Sequence, residues 1–261
     1  MASKLQRVRF CLCYDGTDFF GWQKQPKHSH TVQGVLEERL SKIFDQEVKV
    51  VGSGRTDRGV HAINQWAHAD LPNDKRLKNL HYSLNRLTPA SISIKKVELA
   101  PSDFHAQISA VEKRYVYRMF CRERANPFLL RYSWHFRDEL NLKFLQEASE
   151  LLLGEHDFSS FQSQGTTVSS TRRRLNLCRW VPRDSGFVDF HIRGNGFLKQ
   201  MVRNIVGTLM WYHEKGLPPQ AISQLLRAED RSEAGPPAPP QGLFLASVRY
   251  PQSLDIKCRK L

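Results

Sequence analysis

Residues 7–52 read RVRFCLCYDGTDFFGWQKQPKHSHTVQGVLEERLSKIFDQEVKVVG, and their rhythm changes twice. Val8, Phe10, Leu12 and Tyr14 alternate with Arg7, Arg9, Cys11 and Cys13, the period of two that a strand imposes. A turn follows at Asp15-Gly16. From Thr31 the period lengthens: Val32, Leu36, Leu40 and Ile43 fall on one helical stripe over 31–44, and Thr31 is placed to cap the first free N–H groups. Residues 47–52 return to an extended pattern and lead into the polar segment Ser53 to His61. Beyond it the spacing predicts a strand over 62–70, a helix over 77–87 and a strand over 91–99. Strand, helix, strand, strand, helix, strand is the split β-α-β order of ferredoxin-like folds.

The second half repeats the theme without a convincing sequence repeat. Strands are expected over 107–121 and 132–137, then a helix over 142–153 stopped by Gly154. Strands over 174–181 and 187–193 precede a long helix from about 197 to 214, a shorter helix after Pro218 and Pro219, and a last strand over 243–250. The expected fold class is α+β: two ferredoxin-like, RNA-recognition-type halves, 1–104 and 105–261, joined near Pro101 to His105. The halves are expected to form one continuous, mainly antiparallel sheet with helices packed on it and a central basic cleft. Residues 230–241, DRSEAGPPAPPQ, are the clearest loop, rich in proline and glycine.

With 261 residues, 40% of them hydrophobic and 25% charged, the composition is that of a globular chain with enough apolar material for its own core. No run of some 18 apolar residues is present, which argues against a membrane span. The N-terminus lacks the apolar core of a signal sequence, so a cytoplasmic protein is expected. The five cysteines are scattered without a C-x-x-C pair, and the ten histidines form no H-E-x-x-H, so neither disulfides nor a metal is expected. His28 and His30 read as solvated loop residues. The formal net charge of +13 points to a polyanionic partner or an acidic membrane surface, and favours nucleic acid. Its cations are dispersed, with one dense run at Arg172, Arg173 and Arg174, which suits a broad basic face better than a basic tail.

The chemistry-bearing segment is Gly52-Ser53-Gly54-Arg55-Thr56-Asp57-Arg58-Gly59-Val60-His61, where glycines bracket charge and can present Asp57 from a tight loop. On spacing alone it reads first as an ordinary turn, where Asp and Gly are common. Tyr115 and Tyr117 read as a core aromatic pair on one strand face, and Arg203 as a surface arginine lying off the stripe of Leu198, Met201, Val202, Ile205 and Leu209.

Seven segments in order change that reading. Tyr14-Asp15-Gly16 with Gly21-Trp22-Gln23, Val32-Gln33, Gly54-Arg55-Thr56-Asp57 with Gly59-Val60-His61, Lys113-Arg114-Tyr115-Val116-Tyr117, Asp157-Phe158-Ser159-Ser160-Phe161, Met201-Val202-Arg203-Asn204-Ile205-Val206-Gly207 and Gly242-Leu243-Phe244-Leu245 together resemble the TruA family of tRNA pseudouridine synthases over nearly the whole chain. The resemblance implies that uracil is detached from its sugar, turned and rejoined through carbon, in the anticodon stem-loop of tRNA at positions 38, 39 or 40. It implies no cofactor and no metal, and a homodimer with tRNA bridging both subunits. Asp57 would be the catalytic carboxylate, by attack on the sugar or on the ring, and Arg203 the guanidinium holding it ionised. Tyr115 would stack on the flipped base and relay a proton. Arg55 would fill the space the base leaves or bind a neighbouring phosphate. Lys24, Lys27, Arg58, Arg172, Arg173, Arg174 and Lys199 would meet phosphates. Two positions depart from the family pattern: Arg58, where a small residue is usual, and Gln107, where arginine is expected. Rival readings are a non-catalytic RNA-binding protein or tRNA-folding chaperone, and a synthase for another RNA site.

Overall fold

The computed structural model describes residues 5–26, 30–165 and 168–261. In chain order the elements are β1 (Leu5–Tyr14), α1 (Val32–Phe44), β2 (Val51–Gly52), β3 (His61–Pro72), α2 (Leu80–Leu87), β4 (Ile92–Leu99), β5 (Glu112–Cys121), β6 (Trp134–Phe136), α3 (Leu142–Glu150), β7 (Gly154–Asp157), β8 (Arg172–Pro182), β9 (Phe187–Gly194), α4 (Met201–Lys215), α5 (Ala221–Ala228), β10 (Leu243–Arg249), α6 (Gln252–Asp255) and β11 (Arg259–Lys260). The order strand, helix, strand, strand, helix, strand occurs twice, as β1-α1-β2-β3-α2-β4 and as β5-α3-β8-β9-α4-β10. The chain is mixed α+β: β1 pairs antiparallel with β3 and β4, β11 with β4, β2 with β3, β9 with β5 and β8, and β7 with β8, while β6 runs parallel to β5. No helix among the described residues is long and apolar enough to cross a membrane.

Contacts divide the chain into two compact units, Met1–Val111 with Leu245–Leu261, and Glu112–Phe244. This differs from halves of 1–104 and 105–261. The last strand returns to the first unit because β10 pairs with β3, where the Asn64 amide donates to the Ala246 carbonyl at 2.7 Å.

In the first unit the strand order is β11-β4-β1-β3-β10, with β2 also on β3. Val8, Phe10 and Leu12 of β1 bury fully, as do Leu36 and Leu40 of α1 and Leu80 and Leu84 of α2. Thr31 caps α1 as expected, its hydroxyl accepting from the Gly34 N–H at 3.1 Å. The alternate face of β1 is covered too. Arg9 is buried between the rings of Trp66 and Phe104, and its guanidinium binds Glu98 at 2.7 Å and Asp255 at 2.5 Å. Burial alone would drive that charge off, but the two carboxylates outweigh it and hold the arginine firmly protonated. The expected strand over 47–52 shrinks to the two residues of β2, although Val48 and Val50 are buried.

In the second unit the strand order is β5-β9-β8-β7, with β6 parallel to β5. Tyr117, Phe190 and Trp180 are neighbours in register across β5, β9 and β8. They face α3, to which the Trp180 indole donates through Ser149 at 2.9 Å. Phe158, Phe161, Met201, Ile205 and Leu209 fill the same core. The expected helix over 142–153 ends earlier, at Glu150: residues 151–153 tighten into a turn, and Gly154, at φ +98°, opens β7. α4 begins at Met201 and not near 197, because Gln200 takes a left-handed conformation at φ 57° and interrupts the helical path.

Candidate active site

The loop from Gly52 to His61 is fixed by close approaches that only glycine permits. A β-carbon on Gly16 would stand 2.0 Å from the Val60 carbonyl oxygen, and one on Gly52 would stand 2.4 Å from the Trp22 ring. At Gly21 the backbone runs at φ +86°, and a β-carbon would meet the Thr56 carbonyl oxygen at 2.6 Å. The freed space is used. The Trp22 N–H donates to the Thr56 carbonyl at 3.0 Å, and the Gly16 N–H to the buried His61 Nδ1 at 3.0 Å. The Tyr14 and Thr56 hydroxyls are 2.7 Å apart and buried, and burial pushes the Tyr14 phenol far up, so it stays protonated. On the other flank the Ser53 N–H donates to the Trp66 carbonyl at 2.7 Å, its hydroxyl donates to Gln65, and the Gln65 amide donates to the Gly54 carbonyl at 2.8 Å.

Asp57 sits between these anchors. Its carbonyl accepts the Val60 N–H at 3.1 Å across a turn whose Gly59 has φ +78°. Its carboxylate is half-buried, whereas Arg55 and Arg58 on either side are exposed. The Arg58 guanidinium lies 4.6 Å over the Phe20 ring, so the large residue at this position is stacked and held beside the loop. The sequence singled out the loop that carries Asp57. It did not signal Tyr14, Trp22 or Gln65 as the groups that hold it, because their contacts are long-range. Lys24 is exposed and reaches Glu37 at 3.4 Å. Lys27 lies outside the described residues. Gln107 is exposed and bonds through its backbone N–H to His105 Nδ1 at 3.2 Å.

In the second unit, Tyr115 is nearly buried on β5 and packs edge-on against Phe197, ring centres 5.1 Å apart. Phe197 carried no sequence signal. Lys113, two residues back on the same strand face, is half-buried, and burial together with Arg173 brings its ammonium down to about 8. Arg203 is half-buried on α4, a helix covered on nearly every side. Its Nε donates to the Ala238 carbonyl at 2.8 Å, and its own carbonyl accepts the Ala238 N–H at 2.9 Å. The segment Asp157 to Phe161 anchors this helix. Phe158 and Phe161 are fully buried, and the Asn204 amide donates to the Phe161 carbonyl at 2.8 Å. Desolvation works against the Asp157 charge, but bonds from Ser159 and Thr171 outweigh it and hold the carboxyl below its usual range.

The arginine run does not act as one patch. Arg172 and Arg174 are exposed on one face of β8 and both reach Glu155 of β7, at 3.4 and 3.5 Å. Arg173 points to the other face, is half-buried, and donates to the Ser170 and Arg172 carbonyls at 2.8 and 2.6 Å. Lys199 is exposed and donates to the Gln164 carbonyl at 2.7 Å. Among the described residues no group of three His, Cys, Asp or Glu side chains is arranged to hold a metal ion.

A family model described as tRNA pseudouridine synthase matches residues 11–107 and 148–251, segments that contain Asp57 and Arg203 but not Tyr115. The chain is 47% identical over 261 residues to tRNA pseudouridine synthase A of Bdellovibrio bacteriovorus, covering 98% of this chain and 99% of that protein. It is 40% identical to the protein of the same name from Lactococcus lactis subsp. lactis, covering 97% of this chain and all of that one. It is 38% identical to that of Ruminiclostridium cellulolyticum, over 94% of this chain and all of that one. Among solved structures, a Cbf5-Nop10-Gar1 complex matches at a TM-score of 0.37 and 14% identity, over 78% of this chain and 44% of that one, a likeness too distant to bear on activity. With the family model spanning most of the chain and near-complete relatives at these identities, the chain belongs to the tRNA pseudouridine synthase family, enzymes that isomerise uridine to pseudouridine in tRNA.

Proposed function

We propose that this enzyme modifies uridines of the anticodon stem-loop, with Asp57, Tyr115 and Arg203 as its catalytic set. The observation that carries the reading is the Asp57 loop. A half-buried carboxylate is presented from a backbone anchored at Thr56, Val60 and His61 and is flanked by two exposed arginines. The reaction breaks the bond from the sugar to N1 of uracil and forms one to C5. N1 gains a proton and C5 loses one, so nothing is oxidised or reduced. An ionised carboxylate at the reacting centre supplies negative charge where the glycosidic bond weakens, or a nucleophile that holds one fragment while the base turns. The base must leave its stack first. Tyr115, steadied by Phe197, supplies the aromatic surface that receives it. Arg203 supplies the planar fork that keeps the carboxylate ionised and oriented. Lys24, Arg55, Arg58, Arg172, Arg174 and Lys199 meet phosphates, fixing position without reading sequence, whereas Arg173, turned inward, braces the strand that carries its neighbours. The enzyme works in the cytoplasm as a homodimer on tRNA.

The test is pseudouridine mapping on an unmodified tRNA transcript, with wild type and Asp57→Asn. Modification beside the anticodon by wild type alone supports the reading. Activity retained by Asp57→Asn removes the aspartate from the chemistry. Modification elsewhere moves the target site.

A further inference from the structure

Residues 230–241 read as a loop from sequence, yet Gly235 to Gly242 run as a fitted strap against α4 and β5. In Pro236-Pro237-Ala238-Pro239-Pro240 four residues have no N–H to give. The one N–H in the run, on Ala238, goes to the Arg203 carbonyl at 2.9 Å. The carbonyl of the same residue accepts from Arg203 Nε at 2.8 Å. The next carbonyl, of Pro239, accepts the Tyr117 hydroxyl at 2.8 Å. That phenol is pushed well above its ordinary range by burial, against the pull of nearby Arg203, so it remains a donor. Ala238 itself is only 1% exposed.

The helix is shaped for the strap. A β-carbon on Gly207 would lie 1.8 Å from the Pro236 carbonyl oxygen, and one on Gly242 would lie 2.8 Å from the Tyr117 ring. Upstream, the Gly235 N–H donates to the Thr208 hydroxyl at 3.1 Å, and Arg231 donates to the Asn204 side chain at 3.2 Å. Three hydrogen bonds thus tie this proline run to α4 and β5, and two of the three end on Arg203.

We infer that the strap is a positioning element for Arg203, a role that rests on the proposed pairing of Arg203 with Asp57. A guanidinium carries donors on Nε and on both terminal nitrogens. With Nε held by the Ala238 carbonyl, the rotation of the fork is set and a carboxylate is met end-on, through the terminal nitrogens alone. Prolines fix φ along the strap, so little ordering remains to be done when substrate arrives. Lysine at 203 has one nitrogen and cannot hold the strap and a carboxylate in the same planar arrangement.

The test is Pro237→Gly with Pro239→Gly, which keeps every carbonyl and the Ala238 N–H while removing the stiffness. Single-turnover rate on tRNA should fall about tenfold, the scale on which small misplacements of reacting groups act. RNA affinity and KM should stay within twofold. In an Arg203→Lys background the strap variant should cost nothing further. A full second loss there would show that the strap acts through something other than Arg203, and lost RNA affinity would make it an RNA contact; either overturns the inference. A wild-type measurement is independent of variant folding. The Arg203 Nε–H, assigned by its disappearance in Arg203→Lys, should exchange with solvent slowly in an NMR spectrum, and exchange as fast as that of an exposed arginine would also overturn it. Wild-type turnover by Arg203→Lys would instead sink the proposed catalytic set and leave the Nε–H result standing.

Discussion

At Gly21 the chain reverses under the Asp57 loop with φ +86°, and a side chain would press on the Thr56 carbonyl from 2.6 Å. Gly21→Ala combines a left-handed backbone with a clash against main chain, a cost of about 2–3 kcal/mol. The displaced atoms belong to the residue before Asp57, so turnover should drop by more than RNA affinity does. Urea denaturation beside single-turnover kinetics checks both, and unchanged stability would mean that the crossing relaxes freely. Lys113 gives a prediction with a sign. Its folded value, about 8, lies below the ordinary 10.5, so between these pH values the unfolded chain holds a proton that the folded chain has lost. Stability therefore rises through that window, and below it the buried ammonium is a standing penalty. Lys113→Met should raise the melting temperature at pH 7, with the gain shrinking as pH approaches 10.5. A gain independent of pH would place the lysine's charge in solvent.

Within elements, alternation decides what a charge can do. Arg172 and Arg174 share Glu155 on the exposed face of β8, while Arg173 turns inward and ties down the carbonyl of Ser170. Replacing Arg172 and Arg174 together by alanine should weaken RNA binding and reduce the salt slope by about 1–2 units. Arg173→Ala should lower the melting temperature and leave the slope nearly unchanged. Equal slopes for both variants would mean that the inward arginine also reaches phosphate. The same alternation made much of the fold legible. β1, β9 and the second half of β3 carry buried apolar residues at period two, β4 and β8 do so with one change of phase each, and α1 shows both its cap and its stripe. The remainder lacked a local cause. β7 and β11 are short and polar, and exist because a neighbouring strand offers an edge. The start of α4 was misplaced because one left-handed glutamine, without a glycine or proline to announce it, interrupts the path. In the candidate site, glycines and charge marked a tight loop at Asp57 that spacing alone left as a turn, whereas Arg203 was invisible to periodicity. α4 is buried on nearly all sides, so it has no polar face on which a half-buried arginine could be told from a solvated one. The proline strap was legible only as punctuation, since its partners lie far away in sequence.

At the scale of the whole chain, a net charge of +13 over 261 residues opposes folding through self-repulsion and favours any polyanion in reach. Some of the 39 basic side chains are paired with carboxylates within the fold, Arg9 with Glu98 and Asp255, Arg118 with Asp189 and Arg7 with Asp70, but the 26 acidic residues are already subtracted in the +13. The exposed remainder is what RNA can use. If six to ten phosphates are met, affinity for tRNA should fall by about 10³–10⁵ between 50 and 200 mM salt, while the rate of the bound complex stays constant. A shallow dependence would assign the charge to something other than substrate. The proposed homodimer gives the same titration a second reading. Light scattering of the free enzyme should return twice the mass of the chain at micromolar concentration. If one tRNA bridges two subunits, mixing wild type with an excess of Asp57→Asn should leave each wild-type subunit active beside an inactive partner, because the partner lends binding surface and not chemistry. Replacing instead the exposed arginines of the inactive partner should raise KM for its wild-type neighbour. An unaltered KM in that mixed dimer would confine each tRNA to a single subunit, and a monomer mass would remove the bridge altogether.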